Sequence, residues 1–122
     1  MQSKKKKLLI VDDEEDILEF LKVILEDEGY LVVTTDKDDY LERLQDDTLP
    51  DLILLDLLLS GKDGRDIVKY LKMNERTKLI PVIMFSAHPS AREITKQAGA
   101  DDFVAKPFEI DLLLKKVAQY LQ

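Results

Sequence analysis

Five short, mainly apolar runs divide the chain. They cover residues 8–11, 31–35, 52–55, 82–85 and 102–105. Runs of four or five aliphatic and β-branched residues, bounded by charged or turn-forming residues, are typical of strands that are buried on both faces. The pattern therefore predicts five strands.

Between and after these runs, apolar residues recur at the spacing of an amphipathic helix. Predicted helices cover residues 14–28, 37–47, 63–73, 90–99 and about 109 to the C-terminus. Gly29 is placed to end the first helix, and Asp63 to cap the third. In the last helix, Leu112 and Tyr120 lie off the apolar stripe and leave surface for a partner. The stripe consists of Ile110, Leu113, Leu114, Val117 and Leu121.

Strand and helix alternate five times, which predicts an α/β fold with a parallel sheet covered by helices on both faces. Right-handed crossovers then bring the carboxyl end of every strand to one edge of the sheet. Ligands bind at that edge, where the strand order reverses.

Five polar residues of interest follow the first, third, fourth and fifth predicted strands. Asp12 and Asp13 follow the first, Asp56 the third, Ser86 the fourth and Lys106 the fifth. In a parallel sheet these side chains converge on one cleft. Asp56 also lies among seven apolar residues of the segment 52–59, where a lone carboxylate is costly to desolvate unless a cation pairs with it. The structural alternatives for Asp56 are a helix cap, or a strand end that points into water.

Three clustered carboxylates repel one another unless a cation lies between them, and hard oxygen ligands favour Mg²⁺. Lys106 is a second cation, able to pair with Asp56 or with a phosphoryl oxygen. Ser86 can donate a hydrogen bond to the same oxygen. This set of groups favours phosphoryl transfer onto Asp56 as the nucleophile.

Length and composition limit the other possibilities. A chain of 122 residues suits one domain, and the absence of cysteine excludes disulfides and thiol chemistry. The net charge of −7 argues against nucleic acid as the main partner. No apolar run reaches the roughly 20 residues that span a bilayer, and no signal peptide is recognisable. We therefore expect a cytoplasmic protein with a basic tail over residues 1–7, either solvated or in weak contact with an anion, and one domain over 8–122.

Several short motifs occur in a fixed order at the predicted strand ends. They are Asp12-Asp13, Asp56 with Gly64 eight residues later, Ser86-Ala87 and Lys106-Pro107-Phe108. In this combination the chain, from about Leu8 to its C-terminus, resembles the receiver domain of the two-component response regulator family. The resemblance implies a flavodoxin-like, doubly wound sheet with strand order 2-1-3-4-5 and five helices. It also implies a signalling receiver rather than an enzyme.

The resemblance further implies the roles of individual residues. Asp56 would be the phosphoacceptor, loaded by a histidine kinase, a phosphotransfer protein or a small phosphodonor. Asp13 and Asp56 would bind Mg²⁺ directly, Asp12 largely through water, and Leu58 through its backbone carbonyl.

Switching would involve Ser86 and Phe103. Ser86 would shift to bond the phosphoryl group, and Phe103 would turn inward behind it. The surface of the fourth helix, fifth strand and last helix would then repack, to bind a downstream protein or output domain or to form a homodimer. Simpler alternatives are a core aromatic role for Phe103 and a turn-capping role for Ser86. A cis bond between Lys106 and Pro107 is also implied.

The chain departs from the family pattern near Asp56. Ser60 stands where proline is common, and Leu58 where a polar residue or methionine is common. An apolar Leu58 would hinder an attacking water and prolong the life of the phosphoryl group. The only histidine, His88, either lies near the mouth of the site and tunes this hydrolysis or is an exposed loop residue.

Three other functions remain open. An Asp-nucleophile phosphatase of the haloacid dehalogenase type would have a second aspartate where Leu58 stands. A flavodoxin-like FMN protein would need a phosphate-cradling first loop, which the acidic segment 12–15 would oppose. A receiver that acts as a scaffold without phosphorylation is the third alternative.

Overall fold

The computed structural model describes residues 5–36, 44–45, 48–59 and 62–121. The elements, in chain order, are β1 (Lys7–Val11), α1 (Glu15–Asp27), β2 (Leu31–Thr35), β3 (Leu52–Asp56), β4 (Leu58–Leu59), β5 (Lys62–Asp63), α2 (Gly64–Met73), β6 (Val82–Ser86), α3 (Ala91–Ala98), β7 (Asp102–Ala105) and α4 (Ile110–Tyr120). The predicted helix over 37–47 falls almost entirely outside the described residues, as do the first four residues of the predicted tail. The other predicted helices and all five predicted strands are present, within one or two residues of their predicted bounds.

The five long strands form one parallel sheet in the order β2-β1-β3-β6-β7. Counted within this sheet alone, the order is 2-1-3-4-5, as predicted. The order reverses between β1 and β3, which are hydrogen-bonded neighbours. The short strands β4 and β5 pair antiparallel as a small hairpin directly after β3. A hairpin therefore connects the central strand to α2.

Alternate residues of the central strands pack into two separate apolar cores, one on each face of the sheet. In β1, Leu9 and Val11 belong to one core, whereas Leu8 and Ile10 belong to the other. Every residue of β3 and of β6 is buried, which is why these strands read as continuous apolar runs. Among the described residues, no helix is long and apolar enough to cross a bilayer.

The predicted helix ends are confirmed at two positions. The side chain of Asp63 accepts a hydrogen bond from the backbone N–H of Arg65 at 2.9 Å and so caps α2. Gly29 follows α1 with a φ of 97°, a left-handed conformation that favours glycine.

Two expectations for the last helix were wrong. Ile110 is 40% exposed, because it is the first residue of α4 and extends beyond the part of the helix that packs on the sheet. Tyr120 is not free surface: its ring packs against the core formed by α1 and α4, and its hydroxyl donates to Asp101 O at 2.9 Å and Asp102 Oδ2 at 3.2 Å. A tyrosine can bury its ring while its hydroxyl reaches a polar partner, which a count of helical spacing overlooks.

Gly64 allows the start of α2 to approach the central strand closely. A Cβ atom at this position would lie 2.6 Å from the carbonyl oxygen of Asp56, 2.7 Å from that of Leu57 and 2.8 Å from Met84 Cε. The Gly64 N–H donates to the same Leu57 carbonyl at 2.7 Å. Two of these three obstacles are backbone atoms, so the space cannot be made by rotating a side chain.

We expect Gly64→Ala to lower the free energy of unfolding by about 1–3 kcal/mol, the usual range for overpacking a tight site. Urea unfolding followed by circular dichroism measures this change. Gly29→Ala is the control, because a Cβ there meets no atom within 4 Å and costs only backbone strain. Stabilisation by Gly64→Ala, as expected for alanine in an unobstructed helix, would contradict the close approach.

Candidate functional site

Three carboxylates meet at the carboxyl edge of the sheet, as the sequence predicts. Asp12 follows β1 and is fully buried, Asp56 ends β3 and is 6% exposed, and Asp13 is exposed. One oxygen from each lies within 4.8 Å of the others. The three acids therefore form a compact cluster with two buried members and one that faces the solvent.

Lys106 connects the buried acids. Its Nζ donates to Asp12 Oδ2 at 3.1 Å and lies 3.6 Å from Asp56 Oδ2 and 3.8 Å from Glu14 Oε1. The side chain is 14% exposed, so its ion pairs with Asp12 and Asp56 are largely shielded from water, whereas Glu14 is mostly exposed. The predicted pairing with Asp56 is present, but Asp12 is the nearer partner. Glu14 was not predicted as a neighbour, although it belongs to the acidic segment that follows β1.

The carboxylate of Asp12 is held at both oxygens. Oδ1 accepts the backbone N–H of Glu14 at 2.8 Å, and Oδ2 accepts from Lys106. The Asp12 N–H donates to Thr35 O at 3.2 Å, which ties the residue to the neighbouring strand β2. Asp12 is therefore a fixed part of the site, whereas Asp13 faces the solvent beside it.

The charges of the cluster favour a divalent cation. Three carboxylates and one ammonium leave a formal charge of −2, and burial strengthens the repulsion between the acids. Carboxylate oxygens are the ligands that Mg²⁺ prefers, so Asp12, Asp13 and Asp56 could bind a metal. The Leu58 backbone pairs with Asp63 in the hairpin, two residues after Asp56. The side chain of Leu58 and the whole of Ser60 lie outside the described residues.

Ser86 ends β6 beside Lys106. Its Oγ is buried and accepts the backbone N–H of His88 at 3.0 Å, and its carbonyl accepts the N–H of Lys106 at 3.0 Å. The turn-capping contact that was the alternative for Ser86 is thus present. A serine hydroxyl carries one hydrogen to donate besides its lone pairs, so this contact leaves Ser86 able to donate to another oxygen.

His88 lies in the exposed loop between β6 and α3. Its Nδ1 accepts the backbone N–H of Ser90 at 3.0 Å. The ring also lines a small cavity of about 170 Å³ together with Leu57, Asp63, Arg65 and Ile94. His88 is exposed, as the simpler of its two alternatives expects. The cavity contains Leu57, the residue after Asp56, but none of the three acids, so a role of His88 in hydrolysis stays a prediction.

Phe103 is already buried, with 7% of its surface exposed. The guanidinium carbon of Arg92 lies 5.5 Å from the centre of its ring, within the range of a cation–π contact. The ring of Phe103 therefore lies inside the core in this structure, and its switching role stays a prediction. The cis bond expected between Lys106 and Pro107 is present.

The strand that carries Phe103 is anchored by its neighbour Asp102. The carboxylate of Asp102 accepts from Lys116 Nζ at 2.8 Å and from the Phe103 N–H at 2.8 Å. Burial raises the pKa of Asp102, but the hydrogen bonds from Lys116 and Phe103 outweigh it, so the pKa lies below the usual value for aspartate. Burial and then the nearby Asp102 carboxylate raise the pKa of Tyr120.

Comparisons with known proteins are consistent with this geometry. The family model of the response regulator receiver domain matches residues 8–118 of the chain. The phosphate regulon transcriptional regulatory protein PhoB of Rhizobium meliloti (strain 1021) is 35% identical over 104 residues, which are 84% of this chain and 46% of that protein. The chain spans about half the length of the curated relatives it matches.

Solved structures have the same architecture. A protein described as a response regulator from Chloroflexus aurantiacus J-10-fl superposes with a TM-score of 0.90 and 34% identity, covering 97% of this chain and 98% of that one. The receiver domain of sensor histidine kinase PA1611 from Pseudomonas aeruginosa PAO1 superposes with a TM-score of 0.85 and 25% identity, covering 96% and 98%. That structure has a magnesium ion coordinated in its active site cleft.

The lowered pKa of Asp102 predicts a pH-dependent contribution to stability. A carboxylate whose pKa is lower in the folded protein stabilises it above the unfolded value of about 4, and this stabilisation is lost as the pH falls through the folded value. We therefore expect Asp102→Asn to lower the free energy of unfolding at neutral pH, by less than about 1 kcal/mol because the ion pair is partly solvated. The difference should shrink as the pH falls below about 4.

Urea unfolding at neutral and acidic pH, followed by circular dichroism, measures this difference. Asp111→Asn is the control, since it removes one exposed carboxylate from α4 and leaves the contact of Lys116 with Asp102 intact. A difference between wild type and Asp102→Asn that does not change with pH would contradict the prediction.

Proposed function

The chain belongs to the response regulator receiver domain family, and we propose that it accepts a phosphoryl group on Asp56. The observation that carries the proposal is the position of Asp56. It is a buried carboxylate at the end of the central strand, within 4.8 Å of two other acids and 3.6 Å from the ammonium of Lys106. This arrangement brings a nucleophile, a candidate metal cluster and a second cation together.

The transfer would use a carboxylate oxygen of Asp56 as the nucleophile. A P–O bond to Asp56 forms as the P–N bond of a phosphohistidine breaks, and the electrons of that bond leave with the imidazole nitrogen. With a small acyl phosphate as the donor, a P–O bond breaks instead and a carboxylate leaves. The donor would be a histidine kinase or a phosphotransfer protein.

The residues around Asp56 have separate roles in this proposal. Asp13 and Asp56 would hold Mg²⁺ directly, with Asp12 contributing largely through water and Leu58 through its carbonyl. Such a metal neutralises charge on the transferring group. The fixed orientation of Asp12, which already accepts from Glu14 and Lys106, supports its less direct part.

Lys106 and Ser86 would stabilise the transferred group. The ammonium of Lys106 lies between Asp12 and Asp56, and it would exchange part of this contact for a phosphoryl oxygen. The Ser86 hydroxyl would donate its hydrogen to the same group while it keeps the N–H of His88. Both side chains are nearly buried, so these charge-assisted bonds form in a low dielectric.

The signal would leave the site through Ser86, Phe103 and the surface formed by α3, β7 and α4. This surface carries exposed Leu112, and a downstream protein, an output domain or a second copy of the chain would bind it. A phosphoryl group that favours one of two arrangements of this surface would change its affinity for the partner. We also propose a cytoplasmic location and a receiver domain over residues 8–122.

We expect the protein to gain the mass of one phosphoryl group when incubated with acetyl phosphate and Mg²⁺, measured by mass spectrometry of the intact chain. Asp56→Asn should abolish the gain, because the amide cannot act as the nucleophile. Asp66→Asn, which removes an exposed carboxylate from the first turn of α2, is the control and should retain it. The adduct should be released by hydroxylamine, as an acyl phosphate is.

A mass gain that persists in Asp56→Asn, or no gain with any phosphodonor, would overturn the assignment of Asp56. Circular dichroism of each variant separates loss of chemistry from loss of fold.

Mg²⁺ should raise the thermal midpoint of the wild-type protein, because a ligand that binds only the folded state stabilises it. At ten times the dissociation constant the gain is about 1.4 kcal/mol, which corresponds to a shift of a few degrees. Asp13→Asn should abolish most of this increment, and Asp16→Asn, an exposed acid of α1, should retain it. An equal increment in Asp13→Asn would show that Mg²⁺ binds elsewhere.

A further inference from the structure

Phe85 is a fully buried aromatic residue next to the site, and it has no part in the chemistry described above. It precedes Ser86 in β6, pairs in register with Asp56 of β3, and is 1% exposed. The Nζ atom of Lys106 lies 5.0 Å from the centre of its ring. A cation within about 6 Å of an aromatic face is attracted by the electron density of the ring. Lys106 is therefore in contact with a ring as well as with the acids.

A second aromatic residue braces this ring. Phe108 meets Phe85 edge-on, with the ring centres 5.4 Å apart and the planes at 69°, which is a favoured geometry for an aromatic pair. Phe108 follows Lys106 by two residues, so one short segment contacts Phe85 twice. The turn after β7 is thus fastened to β6 at the point where its lysine enters the site.

The ring and the acids constrain the ammonium from different directions. The carboxylates of Asp12 and Asp56 attract Nζ, at 3.1 and 3.6 Å, but a flexible four-carbon side chain could satisfy them in several conformations. The ring of Phe85 adds a contact of a different kind to those with Asp12, Asp56 and Glu14. A branched aliphatic residue would keep this part of the core apolar but would not attract a cation.

We propose that Phe85 is a positioning residue that holds the ammonium of Lys106 at the phosphorylation site, with Phe108 as its brace. The role rests on the proposed function of Asp56, because it concerns the cation that would stabilise the group transferred there. Phe85 acts only through Lys106 and does not touch the reacting atoms.

The contact itself is tested in the unphosphorylated protein by NMR. Protons above an aromatic face are shielded, so the ε-methylene protons of Lys106 should resonate upfield of those of the exposed lysines. Phe85→Leu should abolish this shift, and Phe108→Leu should reduce it. Ile83→Val changes the same face of the same strand and should preserve it. An unshifted Lys106 in the wild type, or a shift that survives in Phe85→Leu, would overturn the proposal.

The functional role is tested by a double-mutant cycle on the rate of phosphorylation by acetyl phosphate. Phe85→Leu should slow the reaction about three- to thirtyfold, the range of one cation–π contact. In the Lys106→Ala background the same substitution should change the rate by less than about twofold, because the two residues act as one unit. An equal loss in both backgrounds would mean that Phe85 serves only the fold. Phe108→Leu replaces a half-buried residue and gives a milder variant if Phe85→Leu fails to fold.

The NMR and kinetic experiments together distinguish a failure of this proposal from a failure of the proposed function. A wild-type protein that accepts no phosphoryl group would overturn the role of Asp56, and with it any rate effect of Phe85. An upfield shift of Lys106 in that same protein would still show that the ring holds the lysine. A phosphorylated wild type without the shift would overturn the role of Phe85 alone.

Discussion

The ion pairs of Lys106 with the buried carboxylates of Asp12 and Asp56 are the interactions that constrain the rest of the structure most. Taking charges out of water costs several kcal/mol for each ion, and removal of one partner from such a pair typically costs about 3–5 kcal/mol because the other is left uncompensated. These residues lie on three different segments, after β1, at the end of β3 and after β7. The charges are therefore stable only if the strand ends keep their positions, which links the chemistry of the site directly to the rigidity of the sheet.

The two apolar cores provide that rigidity. β3 and β6 are buried along their whole length, so a shift in register would move one end of the apolar run out of the core and bring a polar flanking residue into it. Gly64 then brings α2 against the backbone of Asp56 and Leu57, and Asp63 caps the same helix. The backbone at Asp56 and Leu57 is consequently held by close contact with the start of α2. A site with a formal charge of −2 is held together by the packing of residues that carry no charge.

Much of this arrangement follows from the order of residue types. Buried parallel strands produce continuous apolar runs, and a parallel sheet brings the residues after them to one edge, so Asp12, Asp56 and Lys106 could be placed together before any contact was known. The contacts that the sequence does not predict depend on how far individual side chains extend. Within its apolar run Phe85 reads as one more buried residue, and the pattern does not predict that its ring lies 5.0 Å from Lys106 Nζ. Helical spacing predicts that Tyr120 lies on the surface, because spacing describes where a side chain begins and not where its hydroxyl ends.

The position of Phe103 helps to identify the interactions that could supply the free energy of a conformational switch. A ligand shifts a conformational equilibrium only by the difference in its interactions with the two states. Phe103 is buried beneath Arg92 in this structure, so an inward position of its ring is one that the packing of the chain allows. The groups that change partners under the proposed function are charged or polar: the ammonium of Lys106, the hydroxyl of Ser86 and the phosphoryl group itself. In this chain the energy of switching would therefore come from exchanged hydrogen bonds and ion pairs at the strand ends, and movement of the α3-β7-α4 surface would follow from those exchanges.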